Sequence, residues 1–101
     1  MKNKVVQALS LARRAGKLEI GFDATEKAVK KKCAKIIVVT DDIAERTLKN
    51  TILAAGDAVD IIQLSFESGA FEQVFRRRFV VAAVTDKGMA ELVRKSAGTE
   101  D

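Results

Sequence analysis

KIIVVTDDIAERTLKNTILAAG, residues 35–56, decides the fold class. Ile36, Ile37, Val38 and Val39 are β-branched at consecutive positions, so a strand formed here needs cover on both faces. Thr40, Asp41 and Asp42 are helix-starting residues, and Asp42-x-x-Glu45 has the spacing of a capping box. Ile43, Thr47 or Leu48, Thr51 or Ile52, and Ala55 then recur at helical spacing before Gly56 stops the run. A doubly covered strand passing straight into an amphipathic helix is the unit of an α/β domain. FVVAAVTDKG (79–88) repeats the arrangement: apolar strand, Thr-Asp, helix.

The flanking sequence follows the same alternation. NKVVQALSLARRAG (3–16) carries Val5, Val6, Ala8, Leu9, Leu11 and Ala12 at helical spacing, with Asn3 as a cap and Gly16 as a left-handed stop. KLEI (17–20) is a short alternating strand, and Gly21 turns the chain into a second helix. The apolar stripe of that helix is Phe22, Thr25, Ala28 or Val29, and Cys33. VDIIQL (59–64) reads as a strand and SFESGAFEQVFRRR (65–78) as a helix weakened by Gly69, with Phe71 and Phe75 at i,i+4. TDKGMAELVRKSAG (85–98) reads as the last helix, with Met89, Leu92 and Val93 facing inward. The sequence therefore predicts one α/β domain over residues 1–96, helices on both faces of a central sheet, and a frayed tail over 97–101.

Composition narrows the chemistry. Of the 101 residues, 48% are hydrophobic and 32% charged, which supports a packed core rather than disorder. There is no His, so the commonest general base and metal ligand are missing. The single cysteine, Cys33, makes neither an internal disulfide nor a structural zinc site, and reads as a small core thiol. With no leader-like or membrane-length apolar stretch in the sequence, a cytoplasmic protein is expected. No cofactor motif is present: neither G-x-x-x-x-G-K-[ST] nor G-x-G-x-x-G occurs.

Charge is segregated. Residues 1–40 carry net +7, residues 41–75 net −5, and residues 76–101 net +2, the last including Arg76, Arg77 and Arg78. If the two basic segments meet, one side of the molecule attracts polyanions. The second helix begins at Gly21, so the main-chain N–H groups of Phe22, Asp23 and Ala24 are available to an anion. On the same helix Asp23–Lys27 and Glu26–Lys30 are i,i+4 pairs in the favourable order, each worth about 0.2–0.5 kcal/mol, which describes a self-neutralising surface. Lys31, Lys32 and Lys35, with Arg13, Arg14 and Lys17 upstream, have no helical partner. A second reading uses acids. Asp41, Asp42 and Asp86 follow buried strands, and carboxylates at the carboxyl ends of parallel strands could hold a magnesium ion for a phosphoryl-transfer or receiver-like domain. Helix capping is the plainer role for the same residues.

Four motifs add a resemblance: LARRAGKL (11–18); Gly21 followed by Lys27, Ala28 and Val29; AKIIVVTDDIAERT (34–47); and VVAAVTDKGMA (80–90). In these the chain resembles the ribosomal protein L7Ae family of kink-turn RNA-binding proteins, and within it the bacterial YlxQ-type branch. The likeness covers about residues 3–95 and is weakest across 56–78. It implies a three-layer α/β/α sandwich with a central mixed sheet of about four strands. It also implies a non-catalytic protein that binds RNA, with the ribosome or rRNA as a possible setting. The RNA-contacting residues it implies are Gly21, Phe22, Asp23, Ala24 and Lys27 at the start of the second helix, and Arg77, Arg78, Phe79 and Val80 in the loop before the last strand. Lys30 and Lys31 are expected to add phosphate contacts, and Phe79 and Val80 to pack on an unstacked base. The family pattern Gly-x-Asn-Glu-x-x-Lys is reduced here, with Asp23 at the Asn place and Ala24 at the Glu place. Asp23 accepts hydrogen bonds but donates none, and Ala24 makes no polar contact, so shape and phosphate contacts should dominate.

Overall fold

The computed structural model describes residues 3–99. Its elements in chain order are α1 (Lys4–Arg14), β1 (Leu18–Ile20), α2 (Phe22–Lys30), β2 (Ile36–Val39), α3 (Glu45–Ala55), β3 (Ile61–Gln63), a 3-10 turn (Ser68–Phe71) running into the single turn α4 (Glu72–Phe75), β4 (Val81–Val84) and α5 (Lys87–Thr99). The sheet order is β1-β4-β2-β3. β4 is antiparallel to both β1 and β2, whereas β2 and β3 are parallel, so the sheet is mixed.

The two fully buried strands occupy the centre, as their unbroken apolar runs require. Alternation sends their side chains to opposite cores. Ile36, Val38, Ala82 and Val84 meet Val5, Leu9 and Ala12 of α1, Ala90 and Val93 of α5, and Phe71, Phe75 and Phe79. Ile37, Val39, Val81 and Ala83 meet Ala28 of α2 and Ala55 of α3. The second core is built largely of small residues, so α2 rides close to β4. The result is the three-layer α/β/α sandwich expected, with four strands.

Local signals explain most boundaries. The Asn3 carboxamide oxygen accepts from the N–H of Val5 (2.9 Å) and Val6 (3.2 Å), capping α1. Gly16, at φ +73°, ends it, and the Lys17 N–H returns to the Ala12 carbonyl at 2.8 Å. Other expectations need correction. Asp42 does not cap α3: its carboxylate accepts from the Ser68 N–H (2.9 Å) and Ser68 hydroxyl (2.7 Å), tying the strand end to the 3-10 turn. α3 starts later, at Glu45, without a side-chain cap. Asp86 does cap, accepting from the Met89 N–H at 2.9 Å. The helix expected over 65–78 shrinks to residues 68–75, because Arg76 takes a left-handed conformation (φ +59°) and ends it. Leu92 is 41% exposed rather than inward-facing. Residues 97–99, expected to belong to a frayed tail, continue α5 with Ala97 against the core, and 100–101 lie outside the described residues.

Candidate nucleic-acid interface

The pairing of β1 with β4 joins the two basic segments. Register continues past the strands: the Gly21 N–H donates to the Val81 carbonyl (2.9 Å), and on the other side of β4 the Thr40 N–H donates to the Val80 carbonyl (3.0 Å). The start of α2 therefore lies beside the segment that carries Arg77, Arg78, Phe79 and Val80. Gly21 sits at φ +98°, ψ 163°, a region essentially reserved for glycine, and this turns the edge strand into the helix. α2 has no side-chain cap, so the N–H groups of its first turn remain directed outward at the positive end of the helix dipole.

The arginine loop is held at both ends by aromatic packing. Phe71 stacks on Phe79 (4.1 Å between centroids, 5° between planes), and Phe75 meets Phe79 edge-on at 5.2 Å. Phe66 and Phe71 (5.5 Å) and Phe71 and Phe75 (5.6 Å) complete the cluster. Phe75 and Phe79 thus bracket Arg76, Arg77 and Arg78 with two buried anchors and leave the arginines exposed. One expectation falls here. The Phe79 ring, 6% exposed, is a core residue and is not available to an unstacked base. Val80 beside it is only partly buried.

The structure also assigns positions to the charges. Arg78 lies 3.5 Å from Glu72, while Arg77 has no such partner among the described residues. Arg13 was unplaced by helical spacing, yet its guanidinium sits over the Phe75 ring at 5.5 Å and donates to the Phe75 carbonyl at 3.3 Å. It thereby brings the end of α1 to the arginine loop, a juxtaposition with no signal in the local sequence. The self-neutralising pairs expected on α2 do not close: neither Asp23–Lys27 nor Glu26–Lys30 forms an ion pair. Asp23, Ala24, Lys27 and Lys31 line a groove of about 410 Å³ between α2 and the edge strand. Phe22, Glu26 and Lys30 face a second groove, of about 520 Å³, bordered by Asn50 and Leu53 of α3. Acidic residues close the far side: Asp41 and Asp42 follow β2 at the same sheet end, and the Asp41 N–H is bonded to Phe66. The Ser68 hydroxyl holds the Asp42 carboxyl down at about 2.

The carboxylate reading fails on topology. β2 and β4 are antiparallel, so Asp41 and Asp42 leave one end of the sheet and Asp86 the other. The intervening strands are four residues long, roughly 13 Å. Among the described residues no group of three or more acidic or thiol side chains is placed to hold a metal ion. Nor is any described helix long and apolar enough to cross a membrane.

Comparison with known proteins agrees with this architecture. No curated protein sequence matches the chain. A protein of unknown function from Bacillus halodurans C superposes with a TM-score of 0.85 at 20% identity, covering 96% of this chain and 99% of that one. The Giardia lamblia 15.5kD RNA binding protein superposes with a TM-score of 0.75 at 14% identity, covering 94% of this chain and 82% of its own. At these identities the likeness is one of fold. The sequence pattern is more specific: it matches residues 3–93, and by it the chain belongs to the Ribosomal protein L7Ae/L30e/S12e/Gadd45 family.

Proposed function

We propose that this protein is a non-catalytic RNA-binding protein that recognises folded, kink-turn-like RNA, as a component or partner of the ribosome or another ribonucleoprotein. The observation that carries the reading is the Gly21 N–H bond to Val81. It sets an uncapped helix start, flanked by Lys27, against a loop of exposed arginines, and the family membership agrees with such a role. Gly21, Phe22, Asp23 and Ala24 would meet the bases at the bend, with Asp23 accepting from a guanine edge. Lys27, Lys30, Lys31 and Arg77 would hold phosphates, Arg78 would do so on release from Glu72, and Val80 would pack on an unstacked base. The Giardia protein of the same fold carries RNA binding in its name, which supports the partner class.

The test is a titration of a kink-turn RNA and a straight duplex of equal length at two salt concentrations. Binding should favour the kinked RNA, with a log–log salt slope of about −0.7 to −0.9 per phosphate neutralised. Lys27→Glu should weaken binding and flatten that slope by about one phosphate or more. Equal affinity for bent and straight RNA would refute recognition of the kink, and an unimpaired Lys27→Glu variant would refute the site.

A further inference from the structure

The groove between α2 and β1 does not end where the proposed kink site ends. Asp23, Lys27 and Lys31, the last being the residue that caps the end of α2, follow one another at i,i+4, so the two lysines are about 6 Å apart along the helix axis. Past Lys31 the sheet adds more cations. The Thr85 N–H bonds to the Lys17 carbonyl and the Lys35 N–H to the Val84 carbonyl, continuing the registers Leu18↔Val84 and Ile36↔Val84. Lys17 and Lys35 therefore flank Thr85 from the two neighbouring strands, two strand spacings or about 10 Å apart. Leu18 and Ile36 face the α1/α5 core, so alternation turns Lys17 and Lys35 to the α2 side, the side on which the groove opens. Both are exposed and, among the described residues, neither is in an ion pair; Asp86, next to Thr85, is engaged in capping α5. Glu19 and Asp23 are the groove's two carboxylates, against Lys27 and Lys31 in its lining, with Lys17 and Lys35 turned to the same face of the sheet.

Resting on the RNA-binding reading, we infer that the RNA site extends along this groove to a second contact at the opposite end of the sheet. There, Lys17 and Lys35 take the phosphates of the stem flanking the bend. Lys27 and Lys31 form the rail between the two ends, and Glu19 is a repulsive element that limits affinity.

The experiment compares a minimal kink-turn, the same kink-turn lengthened by about one helical turn of either flanking stem, and a straight duplex. With the parent protein, lengthening one of the stems should steepen the log–log salt slope by about 1.4–1.8, the value for two added phosphate contacts. The Lys17→Glu/Lys35→Glu protein should lose that increment and bind the minimal RNA unchanged. Glu19→Gln should strengthen binding of the lengthened RNA. The single cysteine reports independently: Cys33 lines the groove, so the lengthened RNA should slow its alkylation by a maleimide more than the minimal one does. A preference for the kink with identical slopes for short and long RNA would overturn the groove path alone. So would a double variant that loses short and long RNA equally. Equal binding of kinked and straight RNA would overturn the function proposed above, and this extension with it.

Discussion

Replacing Gly21 by alanine isolates the backbone geometry on which the interface depends. A Cβ at this position meets no atom within 4 Å, so the substitution creates no clash. What it meets is conformational: φ +98° with ψ 163° costs a non-glycine residue about 1–3 kcal/mol. Against this, alanine restricts the unfolded chain and returns about 0.4–1 kcal/mol. The net expectation is a loss of about 1–2 kcal/mol, or several degrees in Tm for a domain of this size. Urea denaturation with an unchanged m-value is the assay, and Gly98→Ala is the control. Gly98 lies in the last turn of α5 with open space at its Cβ, so alanine there should be neutral or stabilise by less than the roughly 0.5–1 kcal/mol of a helix interior. If Gly21→Ala is neutral or stabilising, the chain turns from β1 into α2 by ordinary geometry, and the account of how the helix start is aimed is wrong.

Other perturbations separate core from surface. Phe79→Ala should cost about 3–5 kcal/mol because the ring is packed among Phe71 and Phe75. Phe79→Leu should fold and bind RNA like the parent, whereas a role for the ring on a base requires binding to collapse in that variant. Asp42 adds a pH signature: its carboxyl titrates near 2 when folded and 3.8 when unfolded, so its stabilisation is present above pH 4 and disappears as pH falls toward 2. Its worth is about 1 kcal/mol once solvent screening of this exposed group is allowed for. Asp42→Asn should flatten the stability profile over that window, and an unchanged acid slope would remove the Ser68 clamp as its cause. Lys27→Glu should weaken RNA binding without lowering Tm, since its side chain is exposed and closes no ion pair among the described residues. A Tm loss would mean that the lysine supports the fold instead.

Local chemistry is legible wherever one segment determines it. The apolar runs Ile36–Val39 and Val81–Val84 declare central strands because nothing but cover on both faces makes them soluble. Asn3, Gly16 and Gly21 mark turns because their conformations are short-range properties. Strand direction is not such a property. Thr-Asp after each central strand looks like one shared acidic site, and the antiparallel pairing of β2 with β4 sends the two pairs to opposite ends. Nor can spacing show which lysines pair: α2 separates Lys27 from Lys30 into different grooves, and both expected ion pairs stay open.

By itself the sequence determined the alternation of helix and strand, the two covered strands, the segregation of charge and the family. Each of these is a sum over neighbouring residues or a pattern along the chain. The tertiary structure alone decided that Gly21 lies against Val81, that Phe79 is an anchor rather than a contact, and that Lys17 and Lys35 stand on either side of Thr85. Those outcomes depend on register between strands distant in sequence. Register is set by how two whole cores pack against one sheet, so no single segment carries it.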